Sequence, residues 1–280
     1  MSKVLYEKDG RIAHIILNRP GRMNAIDDEL PRLFADAVNR ADSDNDVHVM
    51  VLSGAGKVFC AGYDLTFYTS EKVNSELLQD MPWDPVKDYK IMWENTQHFM
   101  SAWRATKPVI CKVHGLALAG GSDIALCADL VIMEESAEIG YMPSRVWGSP
   151  TTAMWVYRLG LEKAKHMLFT GDKINGREAE KIGLILKAVP SSDLDIEIES
   201  LAARMSTVPV NQLAMQKMLI NQSIEQTLTQ TQRLSTIFDG MARHSPEGIN
   251  FKARVKEVGW KKAVEERDSG VFDWSANKPI

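Results

Sequence analysis

Apolar and polar positions along the chain fall into two rhythms. Up to about residue 190, short β-branched or apolar runs alternate with segments whose apolar side chains recur at helical spacing; beyond it the helical rhythm continues almost alone. The first rhythm predicts an α/β core over 1–190, and the second a helical region over 191–280. Residues 4–17 read as two strands turning at Asp9 and Gly10. Pro20 and Gly21 then break the pattern, and Asp27 or Asp28 can cap a helix that aligns Leu30, Leu33, Phe34, Ala37 and Val38. A strand over 47–52 ends in glycines, and 58–65 is a second strand-to-glycine junction. Residues 66–105 are polar and aromatic, interrupted at 81–85, with a helix predicted from 88 to 103; such a long segment suits a pocket wall. After it come a strand at 130–133, helices over 151–159 and 161–168 parted by Gly160, and a short helix ending at Gly183 before a strand to Val189. Further helices are predicted over 193–206, 209–222, 224–242 and 260–268. The abundant Leu, Ile and Met of this last region need a partner surface, either the parent core or a second subunit.

The stretch 107–129 stands out within this pattern. Val109 to Val113 is apolar and β-branched, a buried strand, and it passes through Gly115 and Ala119, Gly120 and Gly121 into a helix predicted over 122–128. A strand delivered through glycines onto a helix start leaves backbone N–H groups bare, and Asp123 lies in the first turn beside them. Such a junction can hold an oxyanion and move a proton. Asp123 also suits a capping role there.

Composition narrows the picture without redirecting it. Of 280 residues, 45% are hydrophobic and 25% charged, the profile of an ordinary soluble domain, and the net charge of −4 argues against a nucleic-acid surface. Cys60, Cys111 and Cys127 lack metal-ligand spacing and read as reduced core residues. The N-terminus carries no apolar leader and no run is long enough to span a membrane, so a cytoplasmic protein is expected. The Gly54–Lys57 run lacks the spacing of a phosphate loop and reads as a turn.

Four motifs in order then resemble the crotonase superfamily, the enoyl-CoA hydratase/isomerase group. They are Asn18–Arg19–Pro20 with Met23–Asn24–Ala25, the segment 59–65, the segment 107–129, and Leu168 to Asp172 followed by Ala179 and Gly183. The resemblance covers essentially the whole chain, including Pro246 to Ile249. It implies a spiral of ββα units with a helical C-terminal oligomerisation region, and a homotrimer or a hexamer built as a dimer of trimers. The implied substrate is an acyl-CoA thioester, with CoA arriving as part of the substrate and no metal or further cofactor. The implied oxyanion hole consists of the Tyr63 and Gly120 N–H groups. Met23, Ala25, Ala61, Asp64 and Leu65 match the segments that hold CoA.

The same resemblance assigns two glutamates to hydration. The first aligns with Asp123, the second with Ser144 in the active-site loop that also carries Arg145. Aspartate at the first position also occurs among family dienoyl-CoA isomerases, whose further acids align with Ser149, Thr151 and Thr152. The expected activity is therefore that of an enoyl-CoA hydratase or isomerase with an altered acid/base set. A crotonase-fold hydrolase or dehalogenase, or an inactive CoA-binding scaffold, are the alternatives. Asp80, Asp84 and Asp88 are either pocket acids or solvated wall charges, and Arg145 either binds a carboxylate on the acyl group or makes a structural ion pair. Tyr63, Tyr68 and Tyr141 offer hydroxyls, and His114 and His98 offer imidazoles that read better as scaffold. Phe67, Tyr68, Trp83, Trp93 and Trp147 are pocket aromatics or core.

Overall fold

The hairpin forms where the turn residues place it: β1 (Val4–Asp9) pairs antiparallel with β2 (Ile12–Leu17). The structure, a computed structural model, describes residues 2–68, 79 and 81–280. The chain continues through α1 (Leu30–Ser43), β3 (Val49–Gly54), α2 (Leu65–Tyr68), α3 (Pro85–Phe99) and α4 (Ser101–Arg104). Next come β4 (Val109–Val113), β5 (Leu116–Leu118), α5 (Gly120–Leu126), β6 (Leu130–Glu134), β7 (Glu138–Gly140) and α6 (Met154–Thr170). It closes with β8 (Lys173–Asn175), α7 (Gly176–Ile182), β9 (Lys187–Val189), α8 (Leu194–Ser206), α9 (Val210–His244), α10 (Pro246–Val258), α11 (Trp260–Ser269), β10 (Phe272–Asp273) and β11 (Lys278–Pro279).

The order of pairing shows a spiral. One sheet runs β1-β2-β3-β4-β6-β9, parallel after the hairpin, while β5, β7 and β8 form a second layer. Thus β4-β5-α5 and β6-β7-α6 each give one strand to either layer before a helix returns the chain. Single bridges, Cys60 to Ala117 and Ile26 to Tyr63, extend the second layer towards the earlier turns. The period of two in the central strands divides their side chains between two cores. Met50, Leu52, Val109 and Cys111 face the large core, while Val49, Val51, Ile110 and Ile132 face Leu194, Ile198 and Leu201 of α8.

Several boundaries differ from the sequence pattern for local reasons. β5 and β7 have three residues each, too few to show a period. α5 starts at Gly120, inside the glycine turn. α3 starts at Pro85, ahead of 88, because the Asp84 carboxylate accepts the Val86 and Lys87 N–H groups at 3.0 Å and proline is suited to a first helical position. The helices of 209–222 and 224–242 are one, since the Ser223 hydroxyl bonds back to the Ile220 carbonyl and nothing interrupts the backbone ladder. Gly160, at φ +73° and ψ 176°, kinks α6 between the two helices read from sequence. All three cysteines are free and buried. Among the described residues no helix is long and apolar enough to cross a membrane.

Candidate active site

The spiral brings the two glycine junctions together. Ile26 donates to the Gly62 carbonyl at 2.8 Å and accepts from the Asp64 N–H at 2.9 Å, so residues 62 and 64 face Ile26. Strand alternation turns the Tyr63 N–H the other way, towards the place where β5 has ended and α5 begins. A side chain at Gly62 would meet Leu118 O at 2.8 Å, and one at Gly121 would strike Cys60 O, so only glycine permits this approach. Ala119 between them sits at φ +51°, ψ −125°, pinned by its N–H bond to Gly140 O at 2.9 Å. A non-glycine residue there stores roughly 1–3 kcal/mol of strain, and it aims the Gly120 N–H, the first of α5, away from the strand. Neither N–H has a backbone acceptor among the described residues. The Tyr63 ring packs on Gly120, with its Cε2 3.0 Å from where a side chain would begin.

A cavity of about 560 Å³ opens at this junction. Met23, Ala25, Ala61, Asp64 and Leu65 all line it, as do Tyr63, Gly120 and Asp123. The Asp64 side chain is anchored to the scaffold, accepting from Phe67 N–H at 3.1 Å and pairing with Arg19 at 3.1 Å. Tyr68, Tyr141 and Trp147 add aromatic wall. Arg22, Lys173 and Lys261 are exposed cations of the same lining, a positive rim around an interior that holds acids.

Two of those acids are deeply buried. Asp123 accepts a 2.8 Å hydrogen bond from the Thr152 hydroxyl. Burial pushes its carboxyl up to about 8, the Thr152 bond opposes this, and the negative charge of Asp239 adds to it. Asp239 comes from α9, and sequence reasoning missed it. Its Oδ1 accepts the Ser149 N–H at 3.1 Å and its Oδ2 accepts from Arg243 Nε at 3.0 Å. Burial raises Asp239 above the usual carboxylate range, against the pull of Arg243 and the Ser149 N–H. Arg243 also binds both oxygens of Asp88, at 3.0 and 2.8 Å. The signal was present in the spacing: Leu228, Gln232, Thr236, Asp239 and Arg243 lie on one helical stripe. The inward face of this half of α9 is polar, however, while Leu234, Ile237, Phe238 and Met241 are exposed, so a search for apolar faces looks at the wrong side.

The structure corrects several site expectations. Ser144 and Arg145 do not line the cavity. The Ser144 hydroxyl donates to Tyr141 O at 2.8 Å in a short 3₁₀ turn that faces it towards Gly171. Arg145 spends its guanidinium on the carbonyls of Arg267, at 2.9 Å, and Thr170, so it holds the loop. Asp84 caps α3, and Asp88 is a buried partner of Arg243, neither pocket acid nor solvated charge. Asp80 lies outside the described residues. His114 bonds the Gly56 carbonyl at 3.0 Å, and His98 lies outside the cavity lining. Of the aromatics, Tyr68 and Trp147 line the cavity, whereas Trp83 stacks on His244 and Trp93 on Tyr89. Among the described residues no group of three or more His, Cys, Asp or Glu side chains is arranged to hold a metal ion.

Comparison with known proteins gives the same architecture. Residues 7–250 match the family described as enoyl-CoA hydratase/isomerase. A crystal structure of an enoyl-CoA hydratase from Mycobacterium smegmatis is 43% identical, with a TM-score of 0.90 over 97% of this chain and 94% of that one. An enoyl-CoA hydratase/isomerase from Xanthobacter autotrophicus Py2 is 27% identical, with a TM-score of 0.85 over 96% and 98% of the two chains. The crotonyl-CoA hydratase of Syntrophomonas wolfei subsp. wolfei is 30% identical over 206 residues, which are 72% of this chain and 75% of that protein.

Proposed function

The chain belongs to the enoyl-CoA hydratase/isomerase family and has the crotonase fold, and on that premise we propose that it hydrates 2-enoyl-CoA thioesters. The observation that carries this reading is Asp123: a buried carboxyl, shifted up to about 8, in the first turn that begins with Gly120. At neutral pH it is largely protonated and can deliver a proton beside the oxyanion hole. The thioester oxygen would lie between the Tyr63 and Gly120 N–H groups, each worth a few kcal/mol (about 3) once charge builds there. Met23, Ala25, Ala61, Asp64 and Leu65 would hold CoA by backbone and apolar contact, and the rim cations Arg22, Lys173 and Lys261 suit its phosphates. No metal or redox group enters the scheme.

Incubation with crotonyl-CoA and longer 2-enoyl-CoAs tests this directly. Loss of the conjugated thioester absorbance is expected, and absorbance unchanged with every chain length would overturn the reading. Formation of that absorbance from 3-enoyl-CoAs alone would assign isomerisation instead. The exposed Leu234, Ile237, Phe238 and Met241 of α9 support a further proposal, assembly into a homotrimer or a hexamer of two trimers. A monomer in sedimentation analysis would exclude it.

A further inference from the structure

We propose that Asp239 is the second proton-transfer group of this site, the base that takes the proton of the adding water. This inference rests on the hydration reading above. The place where the family resemblance assigns a second acid holds Ser144, which is turned onto Tyr141 O and does not reach the cavity. Asp239 does reach it, from a helix far away in sequence.

Three features of its setting go beyond packing. The carboxylate is oriented from two sides by Ser149 N–H and Arg243 Nε, each occupying one oxygen and leaving further acceptor capacity for a water. Arg243 is shared with Asp88, so one cation serves two carboxylates and the set keeps a negative charge that can receive a proton. The third feature is the loop at 149–152, which joins the two acids. Ser149 bonds Asp239 while the Thr152 hydroxyl bonds Asp123 at 2.8 Å. α9 grips that loop through Ser235 to Pro150 O at 2.8 Å and Gln232 to Thr152 O at 2.9 Å. Gly240 lets α9 approach α3, because a side chain there would strike the Asp88 carboxylate. A buried ionic network of this kind adds little stability compared with apolar packing, so its polarity calls for another use.

The water oxygen bonds to the β-carbon while its proton passes to the Asp239 carboxylate. The electron pair of the double bond becomes the enolate held by the Tyr63 and Gly120 N–H groups. The enolate then takes a proton from Asp123 at the α-carbon. One proton returns from Asp239 to Asp123 through solvent and closes the cycle.

The test uses the full-length protein, crotonyl-CoA, and butyryl-CoA in deuterated water. Asp239→Asn should lower kcat for hydration by roughly 100-fold or more, leave KM within about 3-fold, and retain exchange of the butyryl-CoA α-protons. Asp239→Glu, which keeps the carboxylate, should recover part of the loss; a purely structural role would favour the isosteric Asn over Glu. Hydration by Asp239→Asn within about 3-fold of the parent overturns the inference while the hydration reading stands. A parent protein that hydrates no enoyl-CoA overturns both. If Asp239→Asn loses its cooperative melt, the Glu variant decides: a folded Glu protein that hydrates supports the inference, and a folded one with no hydration overturns it.

Discussion

Asp123 and Asp239 share one cavity, yet they are held there in different ways. Asp123 is placed by backbone: a strained Ala119, two glycines that admit close approach, and a helix that begins on the turn. Asp239 is placed mainly by side chains, through Arg243 and Asp88 and through Gln232 and Ser235, which hold the loop whose Ser149 N–H it accepts, on a helix whose backbone is regular for 35 residues. The first arrangement tolerates little change in its small residues and is indifferent to most others. The second depends on a set of partners, each replaceable in chemistry but costly to remove.

That difference can be broken at either end. Arg243→Met should have the largest effect, because it strands two buried carboxylates, Asp88 and Asp239; about 3–5 kcal/mol of stability should be lost, read by urea denaturation. Asp123→Asn should keep CoA affinity and lower turnover by roughly 10³-fold, measured with saturating enoyl-CoA. The same variant sharpens the comparison through pH. The Asp123 carboxyl is shifted from 3.8 to about 8 by burial first, with Asp239 adding to the shift. Tyr63, Tyr141 and Cys127 lie close enough to feel its charge. The unfolded chain therefore ionises first, and the stability of the parent falls as pH rises from about 4 to about 8. Asn does not titrate, so the melting temperature of Asp123→Asn relative to the parent should climb across that window. A constant difference would show that Asp123 is not held neutral. Gly121→Ala tests the backbone-built side alone: its side chain meets Cys60 O, a rigid partner, and about 1–3 kcal/mol should be lost with turnover reduced in step.

The same division explains what was legible in the sequence. Strands such as Val109–Val113 and the Val4–Leu17 hairpin follow from local pattern, and the meeting of the two glycine junctions follows from glycines that must lie where chains approach. The fold class and the place of Asp123 at the glycine junction are therefore readable. The place of Asp239 is not, because it is recognisable only once α9 is known to turn a polar stripe inward and an apolar one outward. Ser144 and Arg145 were placed at the site by position in a motif, and a single 3₁₀ turn sends both side chains elsewhere.

The loop at 149–152 has a consequence for the order in which the protein becomes competent. Its contact with α9 closes a long stretch of chain, whereas Asp123 and Thr152 are near neighbours in sequence. Loop-closure entropy makes such distant contacts late in folding. α9 also leaves the ribosome well after both glycine junctions. In chain order both glycine junctions and Asp123 precede α9, so Asp239 joins the cavity only when that late helix docks on the loop at 149–152.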